Sequence, residues 1–213
     1  MKDNRFKAIA FGAGVAGGAA LSIYLFALRP RHMRWGATDA EVRRAMPGDD
    51  LVTNPIHVTT RAVTILAERT DVWPWLVQMG YGRGGMYSYD FVDRVMGILD
   101  RDSTWQIMPE HQQLEAGDVI PMGSGPSWPV AALEPCRSMV LHIQEPGVHV
   151  TWSYLLEEFG WRRSRLVLRV RTWLEITPQI VPLLAVMDPG EFLMVRKHLL
   201  GIKARAEALA GSA

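Results

Sequence analysis

The chain has 213 residues, is 48% hydrophobic, and is nearly neutral, with 23 Lys and Arg against 22 Asp and Glu. That length fits one domain with an appendage, and the net charge of +1 lacks the basic excess of a dedicated nucleic-acid binder. A single cysteine, Cys136, excludes an intramolecular disulfide.

From Ala8 through Leu28 no residue is charged, whereas Lys2, Arg5 and Lys7 precede the run and Arg29, Arg31 and Arg34 follow it. A helix of that length reaches about 31 Å, against a hydrocarbon core of about 30 Å. In lipid the backbone must bond internally, so the run predicts a single-pass helical anchor over residues 1–30. A cleaved leader is the rival, but the run is longer than a usual signal core and Ala27 is followed by Leu28, Arg29 and Pro30, a poor cleavage context. Arg29, Arg31, Arg34, Arg43 and Arg44 outnumber the cations upstream, which predicts a cytoplasmic domain. Gly14 and Gly18 form a GxxxG that would permit self-association of the anchor.

Residues 31–57 read as a linker with a short helix, capped by Thr38 with Glu41 three residues on and ended by Pro47 and Gly48. The main domain is expected over residues 58–210. It opens with a strand at 58–67, rich in β-branched residues. A helix capped by Thr70 or Asp71 follows, with Pro74 expected in its first turn. Glycines between Gly80 and Gly85 break it, and a second short helix at 89–96 carries Phe91, Val95 and Met96 on one side. Six strand-like pieces come next, at 105–108, 118–122, 130–133, 139–144, 149–156 and 163–175. In the last two, Val150, Trp152, Tyr154 and Leu156 alternate with Thr151 and Ser153, and Leu166, Leu168 and Val170 alternate with Arg165, Arg169 and Arg171. Such alternation predicts one buried and one wet face of an antiparallel sheet. Those three arginines, with Arg162 and Arg163, then form a solvated face or a contact for anionic lipid headgroups. The last helix is expected to start with Asp188 as cap and Pro189 at its first position. Phe192, Val195, Leu199, Ile202, Ala206 and Leu209 make its apolar stripe, to be buried on the sheet.

This order of elements comes with five specific stretches: Arg34-Trp35-Gly36-Ala37-Thr38, the run from Val72 to Gly80, the run from Gly82 to Asp90, Pro109-Glu110-His111-Gln112, and the run from Gly201 to Glu207. Together they resemble the helix-grip superfamily of START domains, the birch-pollen allergen and polyketide cyclases (SRPBCC), in a bacterial, membrane-anchored branch. The resemblance covers residues 34–208. It implies an α+β helix-grip fold, with a curved antiparallel sheet wrapped around a long C-terminal helix, two short helices after the first strand, and an apolar cavity. It does not choose a reaction.

Eight Trp and 11 Met suit an irregular core or a pocket for an apolar guest. The expected cavity wall is Trp73, Trp75, Tyr87, Tyr89, Trp105, Trp152 and Phe192. Gly80 to Gly85 fits G-x-G-x-x-G, but a helix precedes it where a dinucleotide fingerprint needs a strand. It reads as a glycine turn, with Arg83 as a candidate for an anionic ligand head. Glu110, His111 and Asp90 are the candidate proton carriers; the adjacent pair could share a site only on a loop, because neighbours on a strand face opposite ways. Six histidines without a ligand-spaced pair, and one cysteine, predict no metal and no cofactor. Three readings stay open: a membrane-tethered module for a hydrophobic or amphipathic small molecule such as a lipid or polyketide-like compound, a cyclase- or dehydratase-type enzyme using the same cavity, and a ligandless membrane-associated interaction protein.

Overall fold

The computed structural model describes residue 22, residues 24–176 and residues 180–212. It divides into two compact units, Met1–Met33 and Arg34–Ala213. In the first, Tyr24–Leu28 forms a π-helical turn and helix α1 covers Arg29–Met33. Most of the uncharged run expected to be an anchor lies outside the described residues. Among the described residues no helix is long and apolar enough to cross a membrane.

The second unit is α+β. Helix α2 (Asp39–Arg43) precedes strand β1 (His57–Ile65), and helices α3 (Arg69–Val77) and α4 (Asp90–Val95) follow it. Strands β2 (Val119–Ile120), β3 (Trp128–Glu134), β4 (Ser138–Glu145), β5 (Val148–Glu158) and β6 (Ser164–Leu174) lead to helix α5 (Ile180–Gly211). All six strands pair antiparallel in the order β1-β6-β5-β4-β3-β2. The inner face of the sheet meets α5: Val195, Leu199, Ile202 and Ala206 are buried in one core with Val63, Ile65, Leu156, Leu166 and Leu168. This is the arrangement a helix-grip fold requires.

Local chemistry corrects several boundaries. No strand forms at 105–108, because the buried Gln78 side chain takes that segment's hydrogen bonds: its amide donates to the Gln106 carbonyl at 3.1 Å and accepts from Met108 N at 2.9 Å. Helix α3 is capped by Glu68, which exchanges hydrogen bonds with Asp71, so Pro74 falls inside the helix rather than in its first turn. Helix α5 starts at Ile180, well before Asp188, and Pro189 lies inside it. Helix α2 keeps the expected cap, with Thr38 and Glu41 bonded reciprocally.

Over β1, β6, β5 and most of β4 the outer face of the sheet is not wet. The segment read as a linker folds back over it from Arg34 onward, and Met46 packs there with Ala62, Leu155 and Val167. Gly36 makes the close approach possible: its φ is +72°, and a Cβ there would stand 2.1 Å from the Ala62 carbonyl oxygen. Beside it, Ala62 N donates to the Trp35 carbonyl at 3.1 Å. Thr151 and Ser153 are buried by this cover.

Three of the arginines read as a solvated stripe are the clamps of that cover. Arg169 is buried and donates to Thr60 Oγ1, to Asp49, and to the carbonyls of Glu41, Val42 and Arg44, at 2.7–3.0 Å. Arg165 forks onto both Glu41 oxygens at 2.7 and 2.9 Å, and Arg171 donates to the Val52 carbonyl at 3.0 Å. Arg162 and Arg163 remain exposed. Burial alone would raise the Glu41 carboxyl, but the Arg165 bond and those from Thr38 outweigh it and hold it at about 2. A guanidinium supplies five donors in a rigid fork, which is why one side chain can tie several carbonyls to a sheet.

Removing one partner of a buried ion pair strands the others without water. Arg169→Ala is therefore expected to destabilise the chain by about 3 kcal/mol in urea unfolding. Amide exchange should rise first across residues 41–52.

Candidate functional site

Burial along the inner face of the sheet is graded. Tyr154, Leu156, Leu166 and Leu168 are sealed, whereas Val148, Val150, Trp152, Thr172 and Leu174 are only half-buried. The register stacks these in rows toward one end: Trp152 opposite Val170, Val150 opposite Thr172, and Val148 opposite Leu174. The space expected between the sheet and the last helix is thus filled at the end held by the second half of α5. Burial falls off toward the end where α5 begins, which among the described residues is the more open end of the inner face. The wall there is aromatic, with the Trp128 and Trp152 rings edge to face at 4.9 Å between centroids. Other clefts lie elsewhere: one of about 260 Å³ on the outer face against His149 and Trp173, and a groove of about 340 Å³ beside Arg69, Cys136 and Trp161.

The floor of the open end is a buried polar pair. His198 lies on α5 within the apolar stripe, and its Nδ1 is 2.6 Å from the Met86 carbonyl oxygen. A carbonyl only accepts, so Nδ1 carries the proton and Nε2 accepts from the Tyr154 hydroxyl at 2.9 Å. The imidazole lies 6.1 Å from the Trp152 ring system and stacks near Tyr87 at 6.3 Å. Burial pushes His198 down to about 4 against the pull of the Met86 bond, and burial pushes the Tyr154 phenol well up. Both are neutral at pH 7. The pair is a fixed donor chain in an apolar wall, and the phenol oxygen still has acceptor capacity.

One side of the opening is ionic. Arg61, fully buried on β1, binds both Glu191 oxygens at 2.5 and 3.1 Å, and its guanidinium lies 5.7 Å from the centre of the Phe192 ring. His57 Nε2 is 3.5 Å from Glu191 and 3.7 Å from Asp188. Burial opposes ionisation of Glu191, yet bonds from His57 and Arg61 hold it at about 2. Ligand atoms of His57, Asp188 and Glu191 fall within 4.8 Å of one another. Sequence spacing gives no metal set because His57 comes from β1 and the two acids from α5. Both Glu191 oxygens already serve a guanidinium, so the trio is built as an ion-pair network.

The residues singled out from the sequence scatter. Trp152 and Phe192 are half-buried beside the opening. Trp73 and Trp75 pack in the core from α3, with Trp75 edge-on to Tyr87 at 6.1 Å. The Arg205 guanidinium is held between Tyr87 and Trp105 at 4.7 and 4.3 Å and donates to the carbonyls of Ser103, Thr104 and Gly201. Tyr89 is exposed at the start of α4, with Lys197 5.8 Å from its ring centre. Arg83 donates to the carbonyls of Val77, Met79 and His111, closing the end of α3. Glu110 and His111 do stand on a turn, Pro109–His111, with Glu110 exposed and His111 lowered by burial. Asp90 accepts from Ser103 N and Oγ at 3.1 and 2.6 Å. Sequence reading missed the Tyr154–His198 pair. The signal was there: His198 is a polar residue three positions after Val195 and four before Ile202, inside the buried stripe.

No family model matches the chain, and no curated protein matches it. Among solved structures it is similar to a Thermobifida fusca protein known from its solution structure (13% identity, 71% of this chain and 94% of that one, TM-score 0.43). It is also similar to the Zhui aromatase/cyclase from Streptomyces sp. R1128 (17% identity, 71% and 93%, TM-score 0.41). A third is the di-domain aromatase/cyclase StfQ of the steffimycin biosynthetic pathway (13% identity, 78% and 54%, TM-score 0.41). At these scores the likenesses carry no argument about function.

The lowered His198 makes stability depend on pH. Its ordinary value is 6.5 and its folded value about 4. The contribution is therefore whole above pH 6.5 and is lost as pH falls through 4, a change of about 3 kcal/mol. Urea unfolding at pH 7 and pH 4 should show that loss, and His198→Gln should remove that part of the slope.

Proposed function

We propose that the protein is an SRPBCC-type helix-grip module, tethered to a membrane by the uncharged run before Arg29, that holds a hydrophobic or amphipathic small molecule at the open end of the inner face. The observation that carries this is the half-buried aromatic wall of Trp128 and Trp152 beside a sealed core. An elongated apolar guest, lipid-like or polyketide-like, would lie against Trp152, Val150 and Leu174. A cyclase- or dehydratase-type enzyme is the second reading, favoured by the tautomer-fixed His198; it requires turnover of a bound carbonyl compound that Tyr154→Phe abolishes.

Losing a wall tryptophan removes about 2 kcal/mol of apolar contact, or roughly 30-fold in affinity. With anilinonaphthalene sulfonate as probe on the full chain, Trp152→Ala should weaken binding by that order, while Leu66→Ala, at an exposed site, should leave it unchanged. Native mass spectrometry of the purified chain should show a co-purifying apolar compound. Equal probe binding by both variants and the parent, with no bound compound, would sink the reading.

A further inference from the structure

Helix α4 displays its apolar residues outward. Phe91 is 71% exposed, Val95 73% and Met96 58%, with Val92 and Tyr89 beside them. The sequence placed Phe91, Val95 and Met96 on one side, and that side faces solvent instead of the core. The reason is steric: the segment from Met86 to Trp105 lies against α5, where Gly201 admits Tyr87 so closely that a Cβ would stand 2.0 Å from the Tyr87 carbonyl oxygen. Tyr87, Ser103 and Thr104 supply the inward contacts, so α4 is the outward limb of the loop. Leu193 and Trp105 add to the exposed apolar surface, at 52% and 62%. Phe91, Val92, Val95 and Met96 are neighbours on one short helix, and exposed apolar residues grouped in this way mark an interaction site.

What covers it follows from where the chain enters the domain. Trp35, the second residue of the unit, lies against Arg196 of α5 at 5.1 Å, and the next residue of α5, Lys197, lies against Tyr89 at the start of α4. The entry point and the apolar limb flank the same turn of α5. Only the five residues of α1 separate the end of the uncharged run from Arg34. Five residues span at most about 18 Å. Rings of Trp and Tyr mixed with Lys and Arg are the chemistry of a membrane–water interface. The acids nearby are engaged: Asp93 accepts from Ser88, Asp102 pairs with Arg94, and Asp100 stands 3.3 Å from Arg101.

We propose that this face, Phe91, Val95 and Met96 with Tyr89, Trp105 and Lys197, is seated in the surface of a lipid bilayer, so that the domain lies on the membrane rather than hanging from it. The proposal rests on the tether reading above. Apolar insertion, unlike headgroup attraction, persists at high salt.

The test uses the full chain in phosphatidylcholine vesicles at high salt, with Cys136→Ser as background and single spin labels at Val95→Cys, Ala20→Cys and Asp50→Cys. Asp50 is exposed on the segment that covers the other face of the sheet. The label at 95 should gain access to oxygen and lose access to an aqueous nickel chelate, while the label at 50 should stay aqueous. If the label at 95 is aqueous while that at 20 sits in the bilayer, the seating is wrong and the tether stands. If both are aqueous, seating and tether both fail. If 95 is shielded from both reagents and shows dipolar broadening, a second copy covers the face and the membrane proposal falls.

Discussion

One helix phase governs the molecule. Val195, Leu199, Ile202 and Ala206 recur at steps of three and four and press α5 onto the inner face of the sheet. His198 sits inside that stripe, so the same contact delivers its imidazole to Tyr154. Glu191 precedes His198 by two turns, about 10 Å along the axis, and reaches Arg61 and His57. Turning α5 by one residue, about 100°, would withdraw the floor and the ionic side of the opening together.

The sheet is covered on both sides, but by different physics. The inner cover is apolar and repetitive. The outer cover is a short irregular segment with few large apolar residues, held by arginines that satisfy carbonyls the segment cannot pair itself. An irregular segment with buried carbonyls needs donors, and the guanidinium fork of Arg169 brings them in bulk.

Much of the fold was legible because it rests on periodicity. The alternation along β5 and β6 and the stripe on α5 fix which side chains share a face, whatever lies beyond that face. What lies beyond was not legible. Thr151, Ser153 and Arg169 alternate as solvent-facing residues do, yet a segment more than a hundred positions earlier in the chain buries them. The same limit explains the scatter of the candidate site. Trp105 and Tyr87 look like cavity rings by composition, but their use as a sandwich for Arg205 depends on a loop bringing 87 and 105 to the same turn of α5. Glycine spacing gave the turn after α3 but not the role of Arg83 in closing that helix. His198 was the exception, a polar residue at a core position of a helix, and such a break in pattern needs no tertiary knowledge to notice.

The placement of the arginine clamps has a mechanical consequence. The N-terminal segment enters the domain at Arg34 and is tied at once to β1, where Ala62 N donates to the Trp35 carbonyl; Arg165 then holds the Gly36 carbonyl and Glu41, and Arg169 the carbonyls of Glu41, Val42 and Arg44. Any tension arriving along the backbone from the N-terminus is met first at that bond to the edge strand β1 and next by the paired guanidinium groups. Strain from that direction would load the outer cover and the edge strand together, and through Arg61 and His57 on that strand it would be felt at Glu191.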